Sequence, residues 1–221
     1  MRIKWWKGLS IILITYGLIG GLMLPVPRLH IVNESIRNLY YHVPMWFVMI
    51  LLFGLAAFYA LRYLMKGEIK DDIISSELTR VGVWFSVFGM VTGMIWAQYT
   101  WGAAWSNDPK QLGTAMGMLI YFAYLILRTG MTEDEKRARI SAVYNIFAFA
   151  LIIPLLYVLP KQVDSLHPGS GGNPGFNEYD LDQRMRWVFY PAILGWFLLG
   201  IWLSNLSIRL RWLAYQKEQS N

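Results

Sequence analysis

The sequence predicts an all-α polytopic membrane protein with six transmembrane helices in one bundle. Of its 221 residues, 56% are hydrophobic and only 15% are charged, which is the composition of a membrane protein. Six apolar segments each have close to the length needed to cross the hydrocarbon core. No segment between them is long enough for a separate soluble domain. We therefore predict one membrane domain over residues 1–221, with spans at about residues 9–25, 44–64, 81–99, 112–127, 140–159 and 187–206.

The first two spans differ in how they begin. Arg2, Lys4 and Lys7 precede the first apolar run, as in a signal peptide. No small-x-small cleavage site follows, however, and further apolar segments do, so we interpret this run as an uncleaved first helix. The second span opens at Pro44, and proline suits the first position of a helix because its missing N–H would be unpaired there.

The later spans are separated by polar connections. Residues 62–80 and 128–139 are interpreted as charged loops, and residues 161–186 form the longest loop. Pro154 predicts a kink within the fifth span. The third span contains glycines that let neighbouring helices approach closely: Gly82, Gly89 and Gly93.

The Lys and Arg residues predict the orientation of the chain. The N-terminus, residues 62–80, residues 128–139 and the C-terminal tail together carry 14 of them, whereas the loops that alternate with these carry 6. The positive-inside rule then places both termini in the cytoplasm. The basic residues behind the net charge of +6 are interpreted as determinants of this topology and as contacts to lipid headgroups. We therefore predict no binding to nucleic acid.

The chain contains no cysteine. This composition excludes disulfides and thiolate metal ligands. It also excludes the Cys-x-x-Cys-His site by which c-type cytochromes attach haem.

A short aromatic segment between the third and fourth spans has the clearest functional pattern. This segment, the Trp loop (residues 101–110), contains Trp101 and Trp105. Two indoles four residues apart make a flat apolar surface that suits a ligand such as a porphyrin. The alternative is that both are interfacial anchors, as most membrane-edge Trp residues are.

All three histidines are predicted on the same outer face as the Trp loop. His42 lies just before the second span and His167 lies in the loop before the last one. Two imidazoles from separate segments can ligate a haem iron from opposite faces. A single membrane-edge histidine would more often be an interfacial hydrogen-bonding group. We interpret His30 as an ordinary loop residue.

Other polar residues on this face have both structural and functional interpretations. Asp108, Pro109 and Gln111 fit the N-cap, N1 and N3 positions of a capping box that begins the fourth span, and Asp108 could also orient the Trp loop. Arg184 and Arg186 precede the sixth span. Arg binds carboxylates in a bidentate fashion, so these two could contact haem propionates, or alternatively lipid headgroups.

These residues resemble a known family, the haem-handling proteins of cytochrome c maturation that carry a Trp-rich WWD motif. The closest resemblance is to the six-span CcmC type, haem exporter protein C. Asn107 stands where the family usually has its third Trp, and the Asp-Pro-Lys ending of the loop is similar to that of the longer CcsA relatives. The family pattern W-G-x-x-W-x-W-D is matched by Trp101, Gly102, Trp105 and Asp108, and the likeness extends to residues 41–44, 165–167 and 186–187.

The resemblance implies a function in haem delivery rather than enzyme catalysis. It implies that haem b is held at the outer face of the bacterial inner membrane by His42 and His167 and is presented to a periplasmic haem chaperone (CcmE-like). Trp101, Gly102, Trp105 and Asp108 would form the loop that binds haem and docks the chaperone. Further implied partners are a small single-span helper (CcmD-like), ABC transporter subunits (CcmA/CcmB-like) and membrane lipid.

Two other functions are possible for a six-span protein of this composition. A b-type haem electron-transfer subunit usually carries its ligand histidines inside helices, and no His falls within a predicted span. A permease of small solutes would need ionisable groups at mid-membrane, and the interiors of the predicted spans contain no Asp, Glu, Lys or Arg.

Overall fold

The computed structural model describes residues 4–27, 33–163, 165–167 and 181–220. Within these ranges the chain forms six α-helices and no β-strand. The helices are α1 (Trp5–Met23), α2 (Leu39–Lys66), α3 (Ile69–Trp101), α4 (Pro109–Thr129), α5 (Asp134–Ile153) and α6 (Gln183–Ser220). A 3₁₀ helix precedes α2 at Asn33–Asn38, and α5 is followed by a π-helical turn at Pro154–Val158 and a 3₁₀ turn at Leu159–Lys161.

The predicted fold class is confirmed, because six helical segments are long and apolar enough to cross a membrane. Two helices are much longer than their predicted spans: α3 has 33 residues and α6 has 38. At 1.5 Å per residue they are roughly 50 and 57 Å long, which exceeds a hydrocarbon core of about 30 Å. Their charged flanks are therefore helical as well.

The prediction of a charged loop over residues 62–80 is wrong. Only Gly67 and Glu68 separate α2 from α3. Gly67 adopts a φ of 70°, and its backbone N–H donates to the Tyr63 carbonyl. Glycine reaches this left-handed conformation without a steric penalty, so it ends α2 and lets the chain reverse at once.

The acidic residues of this segment are helical because they are buried against basic partners. Asp71, Asp72 and Glu77 on α3 are all 2–3% exposed. Arg128 of α4 binds Asp72 with both guanidinium nitrogens at 2.8 and 2.6 Å, and Arg62 of α2 lies 3.2 Å from Asp71. These ion pairs join α2, α3 and α4 at one end of the bundle.

The second helix begins earlier than predicted. The 3₁₀ helix leads directly into α2 at Leu39, so Pro44 lies inside the helix and not at its first position. Pro44 has no N–H for the Tyr40 carbonyl, but the remaining bonds of this turn hold the helix together. His42 consequently lies within α2 and within the segment Glu34–Lys66 that is long and apolar enough to cross a membrane, which overturns the expectation that no histidine falls within a span.

The fifth span changes its helix type at the predicted kink. The α-helical part ends at Ile153, and Pro154 begins the π-helical turn. Proline cannot donate the hydrogen bond that would continue the α-helix, so the ladder is re-formed with a wider turn.

The central helix of the bundle is α2, which packs along α3 and also contacts α1, α5 and α6. The described residues that precede α2, join α3 to α4 and follow α5 meet at one end of the bundle, where Ser35 contacts Thr100 and Ser165 contacts Asp108. We call this the Trp-loop end. The buried carboxylates of α3 lie at the opposite end.

Candidate functional site

The Trp loop is held in shape by two glutamine side chains, one from each flanking helix. Gln98 of α3 donates to the Gly102 carbonyl and accepts from the Ala104 N–H. Gln111 of α4 accepts from the Ser106 N–H and donates to the Ala104 carbonyl. The loop therefore has a defined path even though its residues 102–108 have no regular secondary structure.

The two tryptophans of the loop have different partners. The Trp101 ring makes edge contacts with the Trp96 ring at 5.0 Å and the His167 ring at 4.8 Å between centroids. Trp105 is 39% exposed, and its indole N–H donates to Asn107 Oδ1 at 2.8 Å. Trp101 therefore belongs to a cluster with Trp96 and His167, and the flat surface of Trp101 and Trp105 stays a prediction.

Asn107 has a structural role at the position where the family resemblance places a third Trp. Its φ of 56° lies in the left-handed region, which Asn adopts more readily than most residues. Its side-chain oxygen also fixes the Trp105 indole. Asn107 thus turns the chain into α4 and orients the exposed Trp105.

Asp108 joins the Trp loop to the segment that carries His167. It is the N-cap of α4, as predicted, because its side chain accepts from the Lys110 N–H at 2.9 Å. The same carboxylate accepts from the Leu166 N–H at 2.7 Å, the Ser165 hydroxyl at 2.9 Å and His167 Nδ1 at 2.9 Å. One carboxylate therefore fixes two segments of the chain.

These donors keep the Asp108 carboxyl ionised. Burial alone would raise its pKa, but the hydrogen bond from His167 and its electrostatic interaction with the carboxylate, with the N–H groups of Leu166 and Lys110, outweigh burial and hold the pKa well below its usual value. An ionised carboxylate can only accept hydrogen bonds.

The capping box is only half formed. Gln111 occupies the N3 position, but its side chain does not return to the Asp108 backbone; it binds Ser106 and Ala104 instead. The reason is that the loop folds back over the start of α4 and brings these peptide groups within reach of Gln111.

His167 has a fixed tautomer. Its Nδ1 lies 2.9 Å from the Asp108 carboxylate and must donate to it. Its ring packs against Trp101 and also against Trp96, at 6.0 Å between centroids. Nε2 is then the nitrogen of His167 that is available to bind a metal.

His42 is fixed in the same tautomer. Its Nδ1 lies 3.0 Å from the Gly89 carbonyl oxygen and 3.1 Å from Thr92 Oγ1. A carbonyl only accepts, so Nδ1 donates and Nε2 carries the lone pair. The Trp46 indole N–H donates to this Nε2 at 3.1 Å, and because it can only donate, it requires the same tautomer.

The two histidines contact neighbouring positions on α3. The His42 ring lies against Gly93, where an added Cβ would be 2.6 Å from His42 Cε1. His167 packs on Trp96, three residues farther along the same helix face. That separation is roughly 4.5 Å along the helix axis. The two predicted ligands, which are distant in sequence, therefore lie against neighbouring turns of α3.

Two further predicted site residues lie at the start of α6. Arg184 is exposed at the start of α6, and Arg186 is half-buried, with Nε donating to the Leu181 carbonyl. His30 lies outside the described residues, so its place relative to the site is not described.

Sequence reasoning missed two residues of this site, Trp46 and Trp96. Trp46 follows His42 by four residues and Trp96 precedes Trp101 by five. A spacing of four residues brings two side chains onto one helix face, so the sequence could have indicated that Trp46 lies beside His42. Trp96 lies in an apolar stretch rich in aromatic residues, where nothing local distinguishes it.

Comparison with known proteins identifies the family. The family model described as "CcmC: Heme exporter protein C" matches residues 1–221. The chain is 24% identical over 220 residues to "Heme exporter protein C" of Escherichia coli (strain K12), covering 98% of this chain and 86% of that protein. It is 23% identical over 195 residues to the protein of that name from Paracoccus denitrificans, covering 88% and 79%. A match to "Cytochrome c biogenesis protein CcsA" of Prochlorococcus marinus is 34% identical over 93 residues and covers 42% of this chain but only 28% of that protein. Because the family model matches the whole chain, this protein belongs to the haem exporter protein C (CcmC) family.

Proposed function

We propose that this protein binds haem at the Trp-loop end through His42 and His167 and delivers it to a periplasmic haem chaperone in cytochrome c biogenesis. The supporting observation is the common arrangement of the two imidazoles. Each donates Nδ1–H to an oxygen acceptor, the Gly89 carbonyl or the Asp108 carboxylate. Metal-ligating histidines are typically held in this way, with Nε2 directed to the metal.

The surroundings of the histidines suit haem as cargo. Porphyrin supplies four nitrogen ligands, and two imidazoles complete the coordination of its iron. Trp96 and Trp101 both pack beside His167, and a flat macrocycle would pack against their rings. The chain has no cysteine, so haem would be held without a thioether bond, as haem b.

The exposed part of the Trp loop is the proposed docking surface for the chaperone. Trp105 projects from the loop and is fixed by Asn107. Gly102, with a φ of 81°, starts the loop at the end of α3. We also propose that Arg184 and Arg186 contact the haem propionates, because both begin α6 at the same end of the bundle.

The proposed orientation places the Trp-loop end on the periplasmic side of the inner membrane. It rests on the excess of Lys and Arg residues, 14 against 6, in the segments at the opposite end and in the tail. Haem would then face the chaperone. The further proposed partners are the single-span helper and the ABC transporter subunits.

One observation favours a second function, a b-type haem electron-transfer subunit. His42 lies inside α2, as ligands of such subunits usually do. His167, however, lies in a non-helical segment fixed by a single carboxylate. A ligand on such a segment favours exchange of haem over permanent retention, so we prefer delivery.

The test is to replace each ligand and measure haem binding. We expect His42→Gly or His167→Gly to lower haem retention and to make the bound haem respond spectrally to added imidazole, which fills the vacated position. His30→Gly is the matched control and should do neither. A wild-type spectrum and affinity in either ligand variant would overturn the proposal. Chaperone loading by the wild-type protein distinguishes delivery from electron transfer.

A further inference from the structure

We propose that Trp46 is a removable cap on His42, so that haem is bound and released in exchange for the Trp46 indole. This inference rests on the proposed function, because it takes His42 as an iron ligand. It assigns a role to a residue that neither the apolar pattern nor the family motif distinguishes.

The Trp46 indole occupies the nitrogen that iron would need. Trp46 Nε1 donates to His42 Nε2 at 3.1 Å, and the two rings meet edge-on, with an interplanar angle of 81°. This nitrogen has a single lone pair, because Nδ1 carries the ring proton. Iron and the indole N–H therefore cannot occupy it together.

Trp46 is the group that must move when haem binds. The His42 ring is held at Nδ1 by Gly89 and Thr92 and lies against Gly93. The indole packs on Gly89 and the core of the bundle, but its N–H is its one polar atom, so no other hydrogen bond of the side chain opposes the movement. Because Trp46 follows His42 by one helical turn, the cap and the ligand are carried by the same helix.

The cap stabilises the haem-free protein relative to the loaded one. When iron leaves His42, the Fe–N bond breaks and the Trp46 N–H re-forms its hydrogen bond with the same lone pair. No electron transfer is involved. A protein that retains haem permanently gains nothing from such competition, whereas a protein that hands haem on is helped to release it.

The test uses the full chain in detergent with Trp46→Phe, which keeps an aromatic ring but removes the N–H. We expect release of haem to apomyoglobin to be about threefold to tenfold slower than in wild type, as expected for the loss of one competing hydrogen bond. Haem affinity, measured by absorbance titration with hemin, should rise by a similar factor. Trp84→Phe is the matched control, because Trp84 is 59% exposed on α3, and it should change neither value.

A second measurement needs no haem. The chain has three histidines, so ¹⁵N-histidine labelling gives a simple spectrum of the haem-free protein. In Trp46→Phe, the His42 Nε2 resonance should move toward the value of an unbonded imidazole nitrogen, and in Trp84→Phe it should not move. An unchanged resonance in Trp46→Phe would overturn the cap.

The outcomes separate this inference from the proposed function. If His42→Gly binds haem with an unchanged spectrum, His42 is not a ligand and both proposals are wrong. If His42→Gly loses ligation but Trp46→Phe releases haem within twofold of the wild-type rate, only the cap is wrong. Faster release from Trp46→Phe also overturns the cap. Trp46→Met, which removes the N–H too, repeats the test if the Phe variant does not accumulate.

Discussion

Asp108→Asn is the most informative single change, because it alters one atom of a carboxylate that four donors share. Asp108 Oδ1 accepts from the Lys110 N–H and His167 Nδ1, and Oδ2 accepts from the Leu166 N–H and the Ser165 hydroxyl. An amide must place its NH₂ group at one of these two positions. The Ser165 hydroxyl can rotate away from the new NH₂ group. In either orientation of the amide, however, the NH₂ group faces a peptide N–H, that of Lys110 or that of Leu166, and two donors cannot pair.

The magnitude follows from these contacts. Leaving one buried N–H unpaired costs about 1–3 kcal/mol, so the attachment of residues 165–167 to the loop is weakened. His167 also loses the charge that fixes its tautomer, and removing such a carboxylate partner lowers metal affinity about 10- to 100-fold. We expect the haem affinity of Asp108→Asn to fall by that factor, measured by absorbance titration with hemin.

The control and the pH dependence check the reasoning. Asp134→Asn, an exposed Asp at the start of α5, should leave haem affinity unchanged. The pKa of Asp108 is lowered in the folded protein from 3.8, so its stabilisation is complete above that value and is lost as the pH falls through the lower folded pKa. The stability difference between wild type and Asp108→Asn should therefore be present at neutral pH and shrink below about pH 4. Haem affinity of Asp108→Asn within twofold of wild type would refute the reasoning.

Three further predictions concern the loop, the opposite end and the topology. Trp105→Ala should leave haem content unchanged but lower chaperone loading, whereas Trp101→Ala should lower haem affinity about fivefold through lost ring contacts worth about 1 kcal/mol. Arg128→Ala should destabilise the protein by about 3–5 kcal/mol, read as a lower melting temperature in detergent, because it leaves the buried Asp72 unpaired. Reporter fusions after residue 170 and after residue 221 should report opposite sides of the membrane.

Each of these has an outcome that contradicts it. Wild-type chaperone loading by the Trp101/Trp105 double Ala variant would make both residues interfacial anchors. Arg137→Ala removes a pair whose Asp134 is half exposed, so it should change stability by less than about 1 kcal/mol; an equally small effect of Arg128→Ala would contradict the buried-pair argument. A periplasmic signal from the C-terminal fusion would reverse the topology.

The number of helices and several helix ends could be read from the sequence. Six apolar segments predict six helices because the hydrocarbon core offers no partner for an unpaired backbone group. The N-cap at Asp108 and the break at Pro154 were also predictable, because each depends on hydrogen bonds within a few residues of the chain. The segment 69–80 was not, since its Asp71 and Asp72 are buried in the bundle, where Arg62 and Arg128 of neighbouring helices pair with them.

The connections within the site were decided by the tertiary structure alone. The bond from Asp108 to His167 joins residues 59 positions apart, and His42 meets Gly89 and Gly93 only because α2 packs along α3. Apolar periodicity indicates that a helix packs against other helices, but it does not indicate which residues of those helices it contacts. The sequence by itself therefore determined the residue types available to bind haem, whereas the packing of the helices decided which atoms of those residues are free to do so.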